Sequence, residues 1–175
     1  IIVTGGMGFI GIVFCKTLLK KDHNIKLHIV DIQTYASNLN AFNSKELERI
    51  EIYKNDINET DFISNLLSDT QIDAIYNFAA ESHVDNSIKD PSPFIHSNIN
   101  GTFSLLEAAR AYIESSNKKD FYFHHISTDE VFGDLKSDDP KFNEKNIYKP
   151  SSPYSASKAA SDHLVRAWNR TFNIN

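Results

Sequence analysis

One cysteine, Cys15, is all that the chain has among its 175 residues. No intrachain disulfide can form, so a reducing, cytoplasmic setting is the expectation. Nowhere do apolar residues run on for the ~18 positions that a membrane-spanning helix takes, and no membrane partner is expected. Positive charge is short as well: 18 Lys and Arg stand against 23 Asp and Glu, a net charge of −5. A nucleic-acid protein ordinarily shows a basic face, so nucleic acid is not an expected partner. Glycine and proline are few, 6 and 5, and there is no repeat, linker or low-complexity tract. What remains is an ordinary globular composition, 41% apolar and 23% charged. Its length predicts one domain with a sizeable core.

In chain order, strands alternate with helices. Ile1–Val3 is a β-branched strand, followed by a glycine turn and a helix to about Lys21. Short β-branched or aromatic runs predict further strands at Ile25–Val30, Ile50–Tyr53, Ala74–Phe78 and Phe121–Ser127. Phe62, Ile63, Leu66 and Leu67 have helical spacing within Thr60–Leu67. Asp90-Pro91-Ser92-Pro93 supplies a cap and first-turn prolines for a long helix. The expected apolar stripe of that helix is Ile95, Ile99, Phe103, Leu106, Ala109 and Ile113. Asp134–Pro150 is polar and reads as a surface loop, and Pro153–Phe172 reads as the last helix. The pattern predicts an α/β fold, a doubly wound parallel sheet with helices on both faces. Ligands in such sheets sit outside the carboxyl ends of the strands, and every polar cluster in this chain follows a strand. Residues 1–175 are expected to form one dinucleotide-binding domain. The chain stops at Asn175 where a sixth strand should begin, so a truncated protein is expected.

Gly6-x-Gly8-x-x-Gly11 matches the dinucleotide fingerprint, and Gly5-x-x-Gly8-x-x-Gly11 runs through the same turn. That chemistry needs a tight turn, close approach of backbone to a pyrophosphate, and a helix N-terminus facing the phosphate charge. Alone the pattern is weak. Here it follows a strand, opens a helix and precedes by about twenty residues an acid at a strand end, Asp31. Asp31 can accept hydrogen bonds from a ribose diol and would repel a 2′-phosphate. No Arg stands at Ile32, Gln33 or Thr34, which favours NAD over NADP. Asp56 and Ile57, after the third strand, are candidates for the adenine edge.

Two reactive sets follow. Tyr154 and Lys158 are four apart and share a helix face, where an ammonium would favour the phenolate and lower the tyrosine pKa. Tyr154 is thus a candidate base for an alcohol. In HHISTDEVFG, Thr128 stands beside two adjacent carboxylates, Asp129 and Glu130. Like charges push two such pKa values apart, leaving one acid and one base. Oxidation of an alcohol does not require both; elimination of water does. His124 and His125, consecutive on a strand, point to opposite faces and cannot readily share a metal. Packing is their expected role, and no metal site is expected. His83, in a loop after a strand, could hydrogen-bond a substrate.

These stretches together resemble the extended short-chain dehydrogenase/reductase family, and within it the dTDP-glucose 4,6-dehydratase branch. The resemblance runs from Ile1 to about Phe172, through TGGMGFIG, NFAAESHVD, SNINGT, HHISTDEVFGDL and SSPYSASKAASDHLVRAW. It implies bound NAD and a nucleotide-sugar substrate. The sugar would be oxidised at C4, lose water across C5–C6 and be reduced at C6, giving a 4-keto-6-deoxy sugar. The resemblance assigns Tyr154 to the 4-hydroxyl, Lys158 to the nicotinamide ribose, Glu130 to the C5 proton, Asp129 to the C6 hydroxyl, and Thr128 and His83 to the sugar. Phe9, Ile10, Asp31, Ile32, Gln33, Thr34, Asp56, Ile57, Phe78, Ala79, Ala80, Ser82, Ser97 and Ser127 match cofactor positions, as do Tyr154 and Lys158. Three departures stand out: Phe132 where Tyr is frequent, Ser37 where Gly is frequent, and Asn86 where Arg is frequent. The family's C-terminal half builds most of the sugar-nucleotide pocket, so a thymine and a uracil nucleotide both stay open. A 4-epimerase or decarboxylase of the same superfamily is an alternative, as is a non-catalytic NAD-binding module. The resemblance also implies a homodimer through the two long helices, Pro93–Ser115 and Pro153–Phe172.

Overall fold

Ile2 and Val3 are adjacent and both fully buried, although neighbours on a strand point to opposite faces. Only a sheet covered on both sides hides both. In the computed structural model, which describes residues 1–175, the two belong to separate apolar clusters. Ile2 packs with Ile63, Leu67, Ile75, Leu105 and Phe121, and Val3 with Met7, Cys15, Leu19 and Ile29.

The five strands are β1 Ile2–Thr4, β2 Leu27–Val30, β3 Ile50–Tyr53, β4 Ala74–Asn77 and β5 Tyr122–His125. Their order in the sheet is β3-β2-β1-β4-β5, and every pairing is parallel. The chain therefore winds outward from β1 in one direction and then crosses to β4, so the strand order reverses between β1 and β4. That crevice is where a doubly wound sheet takes its ligand. The fold expected from the sequence is the fold observed.

Seven α-helical segments complete the fold. They are α1 Phe9–Lys21, α2 Ser44–Leu47, α3 Thr60–Thr70, α4 Val84–Lys89, α5 Ser92–Phe94, α6 Gly101–Ser116 and α7 Pro153–Phe172. Helix α7 begins at Pro153 behind a capping box, in which the Ser152 and Ser155 side chains each accept from the other's backbone N–H. No helix is long and apolar enough to cross a membrane.

Several expected boundaries shift. Strand β2 starts at Leu27 rather than Ile25, β4 ends at Asn77, and β5 covers only Tyr122–His125. Asp129–Phe132 is a 3₁₀ turn, and α2 and α4 are helices that no apolar stripe announces. The long helix is the largest correction. It is broken into α5, a π-helical segment at Ile95–Asn100, and α6. Bonds from i to i+5 insert an extra residue per turn, so one stripe cannot continue across the junction. Leu106 and Ala109 of the expected stripe are buried, and Ile99 and Ile113 partly so, but Phe94, Asn98, Thr102, Leu105 and Tyr112 are buried beside them, while Ile95 and Phe103 are each 46% exposed.

Candidate active site

Gly5 turns with φ +64, and a Cβ there would lie 2.6 Å from the amide nitrogen of Ala79. A Cβ on Gly11 would lie 2.4 Å from the Gly5 carbonyl oxygen. The glycine pattern is therefore a steric requirement: β1, α1 and the end of β4 converge more closely than any side chain permits. Beside this turn a cavity opens, lined by Gly5, Gly8, Asp31, Asp56, Phe78 and Ser97. Ile32, Thr34, Ile57, Ala79 and Ala80 line it too, so most of the residues expected at a cofactor are brought together.

The others are not part of its lining. Phe9 and Ile10 are exposed at the start of α1, and Gly11 is buried behind the turn. Gln33 takes a left-handed φ of 60 beside Asp31. Ser82 and His83 are exposed just beyond Glu81, and His83 precedes α4. The Ile57 side chain is 5% exposed and packs into the core, which leaves its backbone to face the cavity.

Asp31 is committed to the chain itself. Its Oδ2 accepts from the Met7 N–H at 3.0 Å, and its Oδ1 from the Gln33 N–H at 2.8 Å and the Ser37 hydroxyl at 2.9 Å. The Met7 bond ties the glycine turn to the end of β2. Asp56 accepts from Asn58 and faces His96 Nε2 at 3.2 Å. These bonds hold its carboxyl below the ordinary range against the opposing effect of burial.

The second group gathers at the end of β5. The Thr128 hydroxyl accepts from the Glu130 N–H at 3.3 Å and lies on the Tyr154 hydroxyl side, where it acts to lower the tyrosine's pKa. Since one lone pair is taken by Glu130, its own proton is free for the phenol oxygen. Glu130 is held above the usual carboxylate range by burial, then by the charges of Asp129 and Asp134. No hydrogen bond within the chain reaches the Asp129 or Glu130 carboxylate. Tyr154 and Lys158 are buried on one face of α7, 8% and 3% exposed.

One expectation fails at this point. Lys158 does not aim at Tyr154: its Nζ donates to the Ile126 carbonyl at 2.5 Å and lies 3.4 Å from His125 Nε2. Tyr154 is shifted up rather than down, by burial first, with the Thr128 hydroxyl lowering it and Glu130 and Asp129 raising it again. Burial drives Lys158 down to about 8, with Asp162 pulling the other way. His124 is exposed, with its ring against Tyr76 at 5.4 Å. His125 is the packed one of the two; its side chain lies against Lys158, with burial and then the Lys158 charge pushing it down to about 3.

Two residues that the sequence reading passed over join the groups. Asn98, in the π segment, accepts from the Glu81 N–H at 2.8 Å. It donates to the Glu81 carbonyl at 2.9 Å and to Ser157 Oγ at 2.8 Å. Ser157 in turn donates to the Tyr154 carbonyl at 2.7 Å, so Asn98 clamps the β4 loop to α7. Its signal was a polar residue in register with Phe94 and Thr102. Asp162, one turn beyond Lys158, accepts from Ser127 at 2.5 Å and Tyr148 at 2.9 Å.

A glycine turn against a strand crossover, with a tyrosine, a threonine and two free carboxylates near the next strand end, has the form of a dinucleotide site beside candidate acid–base groups. Residues 2–175 match the family described as GDP-mannose 4,6 dehydratase. The chain belongs to that family. It is 46% identical over 178 residues to a dTDP-glucose 4,6-dehydratase of Haemophilus influenzae, across 99% of this chain and 52% of that protein. An Escherichia coli protein of the same name is 48% identical over 188 residues, across 99% and 51%. Among solved structures, the Streptomyces venezuelae dTDP-glucose 4,6-dehydratase with NAD bound superposes with a TM-score of 0.84 at 36% identity, covering 99% of this chain and 52% of that one. The chain thus spans about half the length of the curated relatives it matches.

Proposed function

We propose that residues 1–175 form the NAD-binding domain of a nucleotide-sugar 4,6-dehydratase acting on dTDP-glucose. One observation carries the reading: the Tyr154 hydroxyl, the Thr128 hydroxyl and the charges of Asp129 and Glu130 meet at one strand end. An alcohol oxidation would use the tyrosine alone. Two carboxylates free of chain partners add an acid and a base, which elimination of water requires.

The chain fits NAD, because the turn excludes any Cβ at Gly5 and Gly11 and opens onto a cavity ending in Asp31 and Asp56. Gly8, Phe9 and Ile10 would face the pyrophosphate at the α1 N-terminus, Asp31 the adenosine ribose, and Asp56 with Ile57 the adenine. Bound NAD+ would supply oxidation at C4 and reduction at C6. Tyr154 takes the 4-hydroxyl proton, with Thr128 hydrogen-bonding both the sugar and the phenol oxygen. Lys158 holds the nicotinamide ribose. The 4-keto group acidifies C5–H, and Glu130, whose raised pKa makes it a stronger base, removes that proton. Asp129 protonates the departing C6 hydroxyl, and His83 binds the sugar from the β4 side.

The relatives' shared name supports dTDP-glucose over UDP-glucose. Phe103, 46% exposed on α6, stands 5.8 Å from Trp168, which packs in turn on Phe172, an apolar strip across α6 and α7 that suits a homodimer. A single buried cysteine suits a cytoplasmic enzyme. The test is incubation of the full-length protein with dTDP-glucose and, separately, UDP-glucose, without added NADH. A 4-keto-6-deoxy product from dTDP-glucose is expected. A 4-epimer without a 6-deoxy product would identify an epimerase, and bound NAD with no turnover would identify a binding module.

A further inference from the structure

Asp162 is a buried carboxylate, 8% exposed, that none of the proposed steps uses. Three elements reach it. The Ser127 hydroxyl, from the residue before Thr128, donates to Oδ2 at 2.5 Å. The Tyr148 hydroxyl, from the 134–150 loop, donates to the same oxygen at 2.9 Å. His125 Nε2 lies 3.5 Å from Oδ1 and 3.4 Å from Lys158 Nζ. We propose that Asp162 is a positioning residue of the site, holding charge on Lys158 across a neutral His125 and anchoring Ser127 so that Thr128–Glu130 face Tyr154.

The hydrogen-bond directions between β1 and α7 fix where the His125 proton lies. The Thr4 hydroxyl accepts from the Ala79 N–H at 3.3 Å, so it donates to Asn77 Oδ1 at 2.6 Å. That orients the Asn77 amide nitrogen toward His125 Nδ1, 3.2 Å away. A ring nitrogen that accepts there leaves its proton on Nε2. The Nε2–H faces Ser161 Oγ at 3.2 Å and Asp162 Oδ1. Ser161 is free to accept, because its own proton goes to the Lys158 carbonyl at 2.9 Å. His125 therefore carries no charge and spends its one donor on the Asp162 side. The carboxylate is left as the counter-charge for a lysine that burial would otherwise neutralise.

The titratable groups around Lys158 are His125 on β5, Tyr154 and Asp162 on α7, Tyr148 on the loop, and Asp129 and Glu130 on the 3₁₀ turn. Of these, Asp162 is the one charge that pulls Lys158 back from the lowering that burial imposes. Asp162→Asn retains an oxygen that can accept from Ser127 and Tyr148 but removes the charge. It separates the field from the tether.

The proposal rests on the function read above for Lys158, so its test has one arm independent of turnover. In full-length protein with lysine labelled at Cε, the NMR titration midpoint of Lys158 is expected to fall by on the order of one pH unit in Asp162→Asn and to stay in place in Asp162→Glu. In the pH profile of C4 oxidation, the high-pH limb should move down by the same amount. That lowers the rate about fivefold at about pH 8 and about tenfold well above it, and acidification restores it. An unmoved midpoint in Asp162→Asn, or equal movement in both variants, overturns the field. Movement of the midpoint in a protein that turns over no sugar would sustain it while sinking the function. Ser127→Ala tests the tether even where Asp162→Asn fails to fold: elimination should slow more than C4 oxidation, and an equal fall in both, or none, overturns it.

Discussion

Asp31 and the Asp129–Glu130 pair both stand just past the carboxyl end of a parallel strand, and the chain treats them in opposite ways. Asp31 is buried and receives three hydrogen bonds from its own chain, through Met7, Gln33 and Ser37. Asp129 and Glu130 receive none on their carboxylates, and Glu130 is pushed up instead. A carboxylate whose lone pairs are taken by fixed donors is held in one orientation, which suits recognition. One held near other acids, with its lone pairs open, can gain and lose a proton, which suits catalysis. Position at a strand end is shared, so the partners, not the residue type, separate the two roles.

The sharpest way to break that comparison is to remove the charges separately. Asp129→Asn and Glu130→Gln should each lower 4-keto-6-deoxy product formation by about 10²–10⁴-fold. Transfer of reducing equivalents to NAD in the first half-reaction should persist in both. Rapid-mixing absorbance of the reduced nicotinamide, set against product analysis, separates the two steps. Equal loss of C4 oxidation in Asp129→Asn would show that Asp129 acts before elimination. Neither carboxylate holds structure, so both variants should melt with the parent protein.

Next in size is the glycine end. Gly11→Ala puts a methyl 2.4 Å from the Gly5 carbonyl, an overlap with rigid backbone that costs about 1–3 kcal/mol. Denaturant unfolding and NAD titration should both register it. This requirement was legible in the sequence, because a glycine pattern encodes a close approach directly. So were β3 and α7, whose ends coincide with Ile50–Tyr53 and Pro153–Phe172; a Ser-Pro start leaves α7 little choice. Asn98 and Asp162 were less visible, since polar residues on an amphipathic helix ordinarily mark its wet face. Only the π segment and the Ser127–Tyr148 junction turn them inward. Ile95 and Phe103 misled for the same reason, as helical spacing assumes that the turn stays uniform.

His125 sharpens the contrast with a pH dependence. Its ordinary value of 6.5 drops to about 3 in the fold, by burial and then the Lys158 charge. As pH falls through that window, the unfolded chain binds a proton that the folded chain refuses. Stability is therefore full above the ordinary value and declines on acidification, by up to about 1.4 kcal/mol per unit. His125→Gln should remove this part of the slope in urea unfolding at pH values on either side of the window. An unchanged slope would mean that the ring is charged in place, and Asp162 would then have a second cation to neutralise.

Ser37 offers the smallest and most particular effect. An ionised carboxylate has about four lone-pair sites, and Met7, Gln33 and Ser37 take three on Asp31. A ribose diol asks for two. Where the family often carries Gly, this chain places a hydroxyl whose bond to Oδ1 must rotate away before both ribose hydroxyls are received. Ser37→Gly removes that competition and should tighten NAD binding several-fold, on the order of 1 kcal/mol, with Asp31 still held by two backbone donors. Equilibrium titration of cofactor-free protein measures it. Unchanged affinity would mean that the Ser37 hydroxyl turns to the ribose itself, exchanging one partner for another at no net cost. Weaker binding would mean that fixing Asp31 matters more than freeing it, and the distinction between a satisfied and an open carboxylate would then hold even within the recognition end of the site.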